Sequence, residues 1–250
     1  MSDKKIQHIL AKYPKERPEL TERQVKIHAS EYSLNRKGKG FLFSIIRRLE
    51  SWMHHMVGSI PCTNDILEIG AGSLNHIPYE KKYDAYDCVE PFTELYSDSC
   101  YINCPRKIYK DIDQIPRENR YNKIISIAVL EHLEALPEII AHSGLLLEKN
   151  GVFQAGIPTE GGVLWGLSWR ITTAITYRVR TGLNYKNIMR HEHINDACEI
   201  TEIIKLFFDR VIVKRFPTAL YDLSFYTYIE AREPKVELCK KYLAERKNEN

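Results

Sequence analysis

An α/β fold built on a parallel sheet is what this sequence predicts, on three observations. Short apolar runs suited to strands alternate with helix-length stretches from residue 65 onward, the pattern that yields a parallel sheet with helical crossovers. The run Asp65-Ile66-Leu67-Glu68-Ile69 leads directly into Gly70-Ala71-Gly72-Ser73. Glycine is tolerated where the backbone turns sharply or meets a ligand closely. A strand entering such a turn, with a helix behind it, presents N–H groups to a nucleotide-like ligand. The third observation is Glu90, which closes the next strand candidate, residues 86–90. It lies roughly 20 residues past the glycine turn, where a doubly wound fold places a carboxylate for ribose hydroxyls.

Taken in order, residues 1–31 are polar, with Pro14 and Pro18 interrupting any long helix. They predict an irregular or partly helical lead-in, with a helix over 21–30. The loop 35–40 is basic and contains glycine. It feeds 41–57, where Phe41, Ile45, Leu49, Trp52, Met53 and Met56 recur at helical spacing. That face predicts packing on the core or over the site. Its second use is contact with a membrane surface or a partner. Strands follow at 65–69, 86–90, 107–112, 121–130 and 151–158, with a helix over 136–148 between the last two. The stretch between Glu160 and Glu192 has no acid but carries Arg170, Arg178, Arg180, Lys186 and Arg190, with Trp165 and Trp169 near its start. One sign of charge beside tryptophans at the ligand edge of a sheet predicts an anionic or sugar-containing substrate. A helix over 196–208 and strands over 209–216 and 224–231 complete the sheet. From Glu233 onward the chain reads as a charged, solvated helical tail. The resulting division is an N-terminal helical extension or cap (1–60), a main domain (61–232) with a substrate-side insertion (159–195), and the tail (233–250).

Composition narrows the function classes. An apolar fraction of 44% supports a packed core. The net charge of +3 over 250 residues creates no overall field favouring nucleic acid. Six scattered cysteines behind a polar start predict free thiols and a cytoplasmic location, either free or peripheral at the inner face of a membrane. Cys100 and Cys104 form a close pair without further ligands at suitable spacing, which argues against a metal there.

Glu68-x-Gly70-x-Gly72, the Val89-Glu90-Pro91 turn, Asp111 with Pro116 behind it, and Val129-Leu130-Glu131-His132-Leu133 resemble, in order, the motifs of class I S-adenosylmethionine-dependent methyltransferases. The resemblance covers residues 65–158 well and extends loosely to 231. It implies a Rossmann-like, seven-stranded, mostly parallel sheet with helices on both faces, and an enzyme that uses S-adenosylmethionine. The cofactor contacts it implies are Glu68, Ile69, Gly70, Ala71 and Gly72 at the methionine end, Glu90 and Pro91 at the ribose, Asp111 and Ile112 at the adenine, and Ala128. Two positions depart from related patterns. Many members carry a third glycine where this chain has Leu74, and a dinucleotide site would want one at Asn75, which counts against NAD(P). Some quinone-biosynthesis relatives hold magnesium through a Glu at the position of Ala128, so no metal is implied here.

Methyl transfer to a hydroxyl needs a base. The candidates are Glu131 and His132 after the fourth strand, and His191 or His193 after the basic stretch. In an extended chain only one of the last two faces a pocket, and His193 is favoured. Residues 190–231 resemble methyltransferases of bacterial cell-surface polysaccharide biosynthesis. The acceptor this implies is a sugar hydroxyl or amine in a nucleotide- or lipid-linked glycan. The alternatives are a phenol, quinone precursor or lipid as acceptor, or a non-catalytic methyltransferase-like subunit. Nothing in the sequence fixes the oligomeric state.

Overall fold

The computed structural model describes residues 3–25, 27 and 41–249. The basic loop 35–40 and the end of the expected 21–30 helix lie outside them. Seven strands form one sheet in the order β3-β2-β1-β4-β5-β7-β6. They are β1 (Ile66–Ile69), β2 (Tyr86–Val89), β3 (Lys107–Tyr109), β4 (Tyr121–Ile127), β5 (Leu147–Pro158), β6 (Phe208–Pro217) and β7 (Ser224–Pro234). β1 to β5 are parallel, and β7 lies antiparallel between β5 and β6. The helices are α1 (Asp3–Leu10), α2 (Phe41–Gly58), α3 (Thr93–Tyr96), α4 (Leu136–Leu146), α5 (Val163–Trp169), α6 (Ile175–Thr181), α7 (Tyr185–Glu192), α8 (Ala197–Phe207) and α9 (Val236–Glu249).

The sheet is buried on both faces, so its central strands read as continuous apolar runs whose neighbours serve opposite layers. Ile66, Tyr86, Cys88, Ile125 and Ile127 share one core with Met53 and Val57 of α2. Leu67, Ile69, Ile124 and Phe153 share the other with residues of α4, α8 and α9. From Leu49 onward the apolar face of α2 is therefore packed against the protein.

Two strand ends and the C-terminal segment differ from expectation for identifiable reasons. β3 stops at Tyr109 because the Asp111 carboxylate accepts from the Asp113 N–H (2.9 Å) and caps a 3₁₀ turn. β4 stops at Ile127 because Ala128 takes φ +54°, which leaves the extended region. The segment after Glu233 is not a solvated tail. Cys239 and Leu243 of α9 are buried in the core, and Arg246 pairs with Glu138 of α4 at 3.1 Å.

A buried polar cluster fastens α2 to the sheet. Lys123, fully enclosed in β4, donates to the Val57 and Ile60 carbonyls at the end of α2 (2.9 Å each) and to Glu80 (2.5 Å). Val57 lies in the last turn, where carbonyls lack partners within the helix, and Ile60 lies two residues past its end, so the lysine caps the helix and holds the chain that leaves it. Glu80 also meets His76 Nε2 (3.0 Å), and His76 Nδ1 meets His54 Nδ1 of α2 (3.0 Å). Burial, helped by the charges of His76 and His55, holds His54 down at about 4. Removing one member of a buried pair strands the other. Lys123→Met should cost about 3–5 kcal/mol in urea unfolding, with Glu80→Gln on top recovering part of the loss. A cost under about 1 kcal/mol would show that the cluster does not hold α2.

Candidate functional site

The parallel strands end on one edge, and the order reverses between β1 and β4. A crevice opens at such a reversal. Gly70 and Gly72, just past β1, have φ of +73° and +49°. A Cβ on Gly70 would lie 2.3 Å from Val129, so the loops after β1 and β4 meet without room for a side chain. A Cβ on Gly72 would meet nothing within 4 Å. Its backbone borders open space, as a cradle for an approaching ligand requires. Leu74, at the position where the resembled motif often has a third glycine, keeps a glycine-like backbone with φ +63°. Its side chain is fully buried in the α2 core, and that packing offsets the strain of a left-handed leucine.

Glu90 follows β2 and is buried. One carboxylate oxygen accepts from Gly72 N–H (2.8 Å), the other from Phe92 N–H (3.0 Å). Two backbone donors thus fix the carboxylate against the glycine turn, and each oxygen keeps a further lone pair. Pro91 and Phe92 beside it are exposed. Glu68 is buried within β1, and Tyr86 O–H donates to it at 2.8 Å. Burial pushes its carboxyl up to about 8; the tyrosine hydrogen bond opposes this, and the charges of Glu80 and Glu90 add to it. Ile69 and Ala71 are buried in opposite cores, and so is Ile112, whose side chain joins the Leu67 layer. Asp111 is exposed and engaged in its capping bond. Ala128 is exposed at the edge of the crevice, its N–H donating to Gly156 O (2.8 Å).

The base candidates separate. His193 is not in an extended segment, because 185–192 is the helix α7 and His193 ends it. His191 turns away, donating from Nδ1 to the Pro18 carbonyl (2.8 Å). His193 sits edge-on to His132, with ring centroids 4.9 Å apart, and its Nδ1 lies 3.1 Å from Glu160 Oε2. Burial alone pulls the His193 pKa down. The Glu160 hydrogen bond and the charges of Glu131, Glu160 and Glu192 together outweigh it and raise the value above that of an ordinary histidine. His132 donates from Nδ1 to the Glu192 carbonyl (2.7 Å), which leaves Nε2 3.8 Å from Glu131 Oε1. Glu131 is buried, and its Oε2 has no hydrogen-bond partner among the described residues.

Glu160 is the residue that sequence reasoning missed. Its carboxylate also accepts from Trp165 Nε1. Its carbonyl accepts from Tyr221 O–H (2.5 Å) and Ala197 N–H (3.1 Å). The available signal was its position, as the first acid after β5. The N-terminal segment clamps this cluster from behind. Arg17 donates to the carbonyls of His132 (2.7 Å) and His191 (3.2 Å), and Tyr13 O–H to Asn195 (2.7 Å). Asn195 in turn donates to the carbonyls of Leu130 (2.9 Å) and Leu133 (2.8 Å). A groove of about 390 Å³ between Trp52, His55 and Phe216 includes none of these groups. Among the described residues no group of three or more His, Cys, Asp or Glu is placed to hold a metal ion. None of the described helices is long and apolar enough to cross a membrane.

No protein-family model and no curated protein sequence matches the chain. Solved structures do. It superposes on a DhpI–SAH complex with a TM-score of 0.54 at 12% identity, over 86% of this chain and 97% of that one. A SAM-dependent methyltransferase from Thermotoga maritima gives 0.53 at 12% identity, over 76% and 91%. The N-methyltransferase NodS from Bradyrhizobium japonicum gives 0.52 at 14% identity, over 76% and 96%. At such identities the likeness speaks to architecture. With its sheet order, it establishes that this chain has the Rossmann-like fold of the S-adenosylmethionine-dependent methyltransferases.

Proposed function

We propose that the protein is an S-adenosylmethionine-dependent methyltransferase. The observation that carries this reading is the Glu90 carboxylate, bonded to the Gly72 N–H beside open space at the strand ends. The residues fit the donor. Glu90 has lone pairs left for both ribose hydroxyls, a charge-assisted bidentate contact. Gly70 to Gly72 bring backbone close to the amino-acid end, where Glu68 is the nearby carboxyl. Ile112 and Asp111 lie along the adenine side. When bound, the donor supplies a methyl group on a positively charged sulfur, already activated for displacement.

The chain's own contribution is alignment and proton removal. Glu160 accepts a hydrogen bond from His193 Nδ1–H and fixes its tautomer, which leaves Nε2 as the acceptor for the proton of an attacking hydroxyl or amine. Trp165 holds Glu160 in turn. His132 packs against the base and helps to orient it.

For the acceptor we favour a hydroxyl or amine of a sugar in a nucleotide- or lipid-linked glycan. Support comes from the insertion that follows β5. Between Glu160 and Glu192 it carries five Arg or Lys and no acid, it holds two tryptophans, and it reaches His193 and Tyr226 through Trp165 (ring centroids 6.4 and 6.0 Å). Labelled methyl donor incubated with sugar nucleotides and lipid-linked oligosaccharides, read by mass spectrometry, tests this choice. Label appearing only in phenols or quinone precursors would overturn it.

Two outcomes test the site. Calorimetry with S-adenosylhomocysteine should show binding, weakened at least tenfold in Glu90→Ala, or about 1.4 kcal/mol. Unchanged affinity in the variant removes Glu90 from the donor site, and no binding by the intact protein refutes the enzyme reading. Activity should rise with pH through one ionisation above the ordinary histidine value of about 6.5, because His193 must be neutral to act. Glu160→Gln should move that inflection to lower pH, since the charge that raises it is gone. His193→Ala should lower kcat by roughly 10²–10⁴ and leave donor-product affinity intact. An unshifted profile in Glu160→Gln would remove the dyad from the mechanism.

A further inference from the structure

The insertion runs as one unbroken helix from α5 through a π-helical turn, Arg170–Ala174, into α6. Along it Val163, Leu167, Ile171, Ile175 and Val179 recur every fourth residue. Each leaves at least half its surface in water, from 50% for Leu167 to 84% for Val179. In a continuous α-helix a spacing of four drifts about 40° per step and would wind off one face. The π turn takes more residues per revolution and reverses part of that drift, which keeps the apolar residues in a single stripe. Scattered exposed apolar residues are ordinary, but a contiguous stripe marks a contact surface.

Charge identifies what the stripe contacts. Arg170, Arg178, Arg180, Lys186 and Arg190 are all exposed, and residues 161–191 contain no Asp or Glu. The chain as a whole is nearly balanced at +3, so this one-sided bias is local. We propose that the 163–181 helix lies in the plane of an anionic lipid surface, its apolar stripe in the acyl boundary and its arginines among the headgroups. This assignment does not depend on the reaction or its acceptor.

The test floats the full chain with vesicles of phosphatidylcholine alone, and of phosphatidylcholine with phosphatidylglycerol in equal parts. Binding to the mixed vesicles should be tighter by at least about tenfold. Ile171→Asp with Val179→Asp should abolish it, while melting temperature and S-adenosylhomocysteine affinity stay at wild-type values. Arg178→Gln with Arg180→Gln, which removes charge and leaves the stripe, should reduce binding toward the neutral-vesicle level; this pair decides the matter if the aspartate pair fails to fold. Equal binding to both vesicles, or no binding to either, overturns the proposal. So does a wild-type dimer that Val179→Asp splits, which would assign the stripe to a second copy of the chain.

Discussion

The contact between Gly70 and Val129 is the constraint on which the rest depends. The strand order reverses between β1 and β4, and at the base of the crevice there the loops that follow the two strands touch. A Cβ at position 70 would sit inside the Val129 side chain. The absence of a side chain there is thus a packing requirement, separate from any ligand. Position 72 is different in kind, since its added Cβ would meet only open space. One glycine closes the floor of the crevice and the other keeps its wall thin. Val129 stands two residues before Glu131, so the same contact sets where the second half of the site begins.

Around that floor the polar groups are arranged before any ligand arrives. Glu90 is held by two backbone N–H groups, so binding need not order its rotamer. Glu160 is held by Trp165 through its side chain and by Tyr221 and Ala197 through its backbone. Asn195, gripped by Tyr13, ties the loop after His193 to the turn at Leu130 and Leu133. The N-terminal segment therefore acts on the candidate base without touching it, through the carbonyls that shape its loop. α2, fastened by Lys123, supplies the opposite core layer.

The sequence carried the sheet, the glycine turn and the acid after the second strand because all three rest on local chemistry: an apolar run, a residue type that turns sharply, a fixed spacing. What it concealed was conformational or distant. Leucine at 74 and alanine at 128 adopt left-handed backbone that composition does not reveal, and the second of these ends β4 earlier than its apolar run implies. Asp111 looked like a strand-end acid and is the cap of a 3₁₀ turn. α9 looked solvated because its charges outnumber Cys239 and Leu243, yet those two are what it buries. Glu160 and His193 are 33 residues apart, and Tyr13 and Asn195 are 182 apart. No periodicity links such pairs; only the fold brings them together.

The insertion shows how two surfaces can share one helix. Trp165 turns inward to Glu160, His193 and Tyr226, while Val163 and Leu167 on either side of it face water. A helix seated on lipid by its outer stripe would place its inner tryptophan, and the base that tryptophan helps to position, within a side chain's reach of the headgroup layer. An acceptor tethered to lipid through a charged linkage would then arrive along the surface and need not leave the bilayer. The arginines that attract the bilayer would also meet the charge of such a linkage. Membrane seating and acceptor choice are independent claims, but the helix gives them a common geometry: both follow from a segment without acids placed where the fifth strand ends.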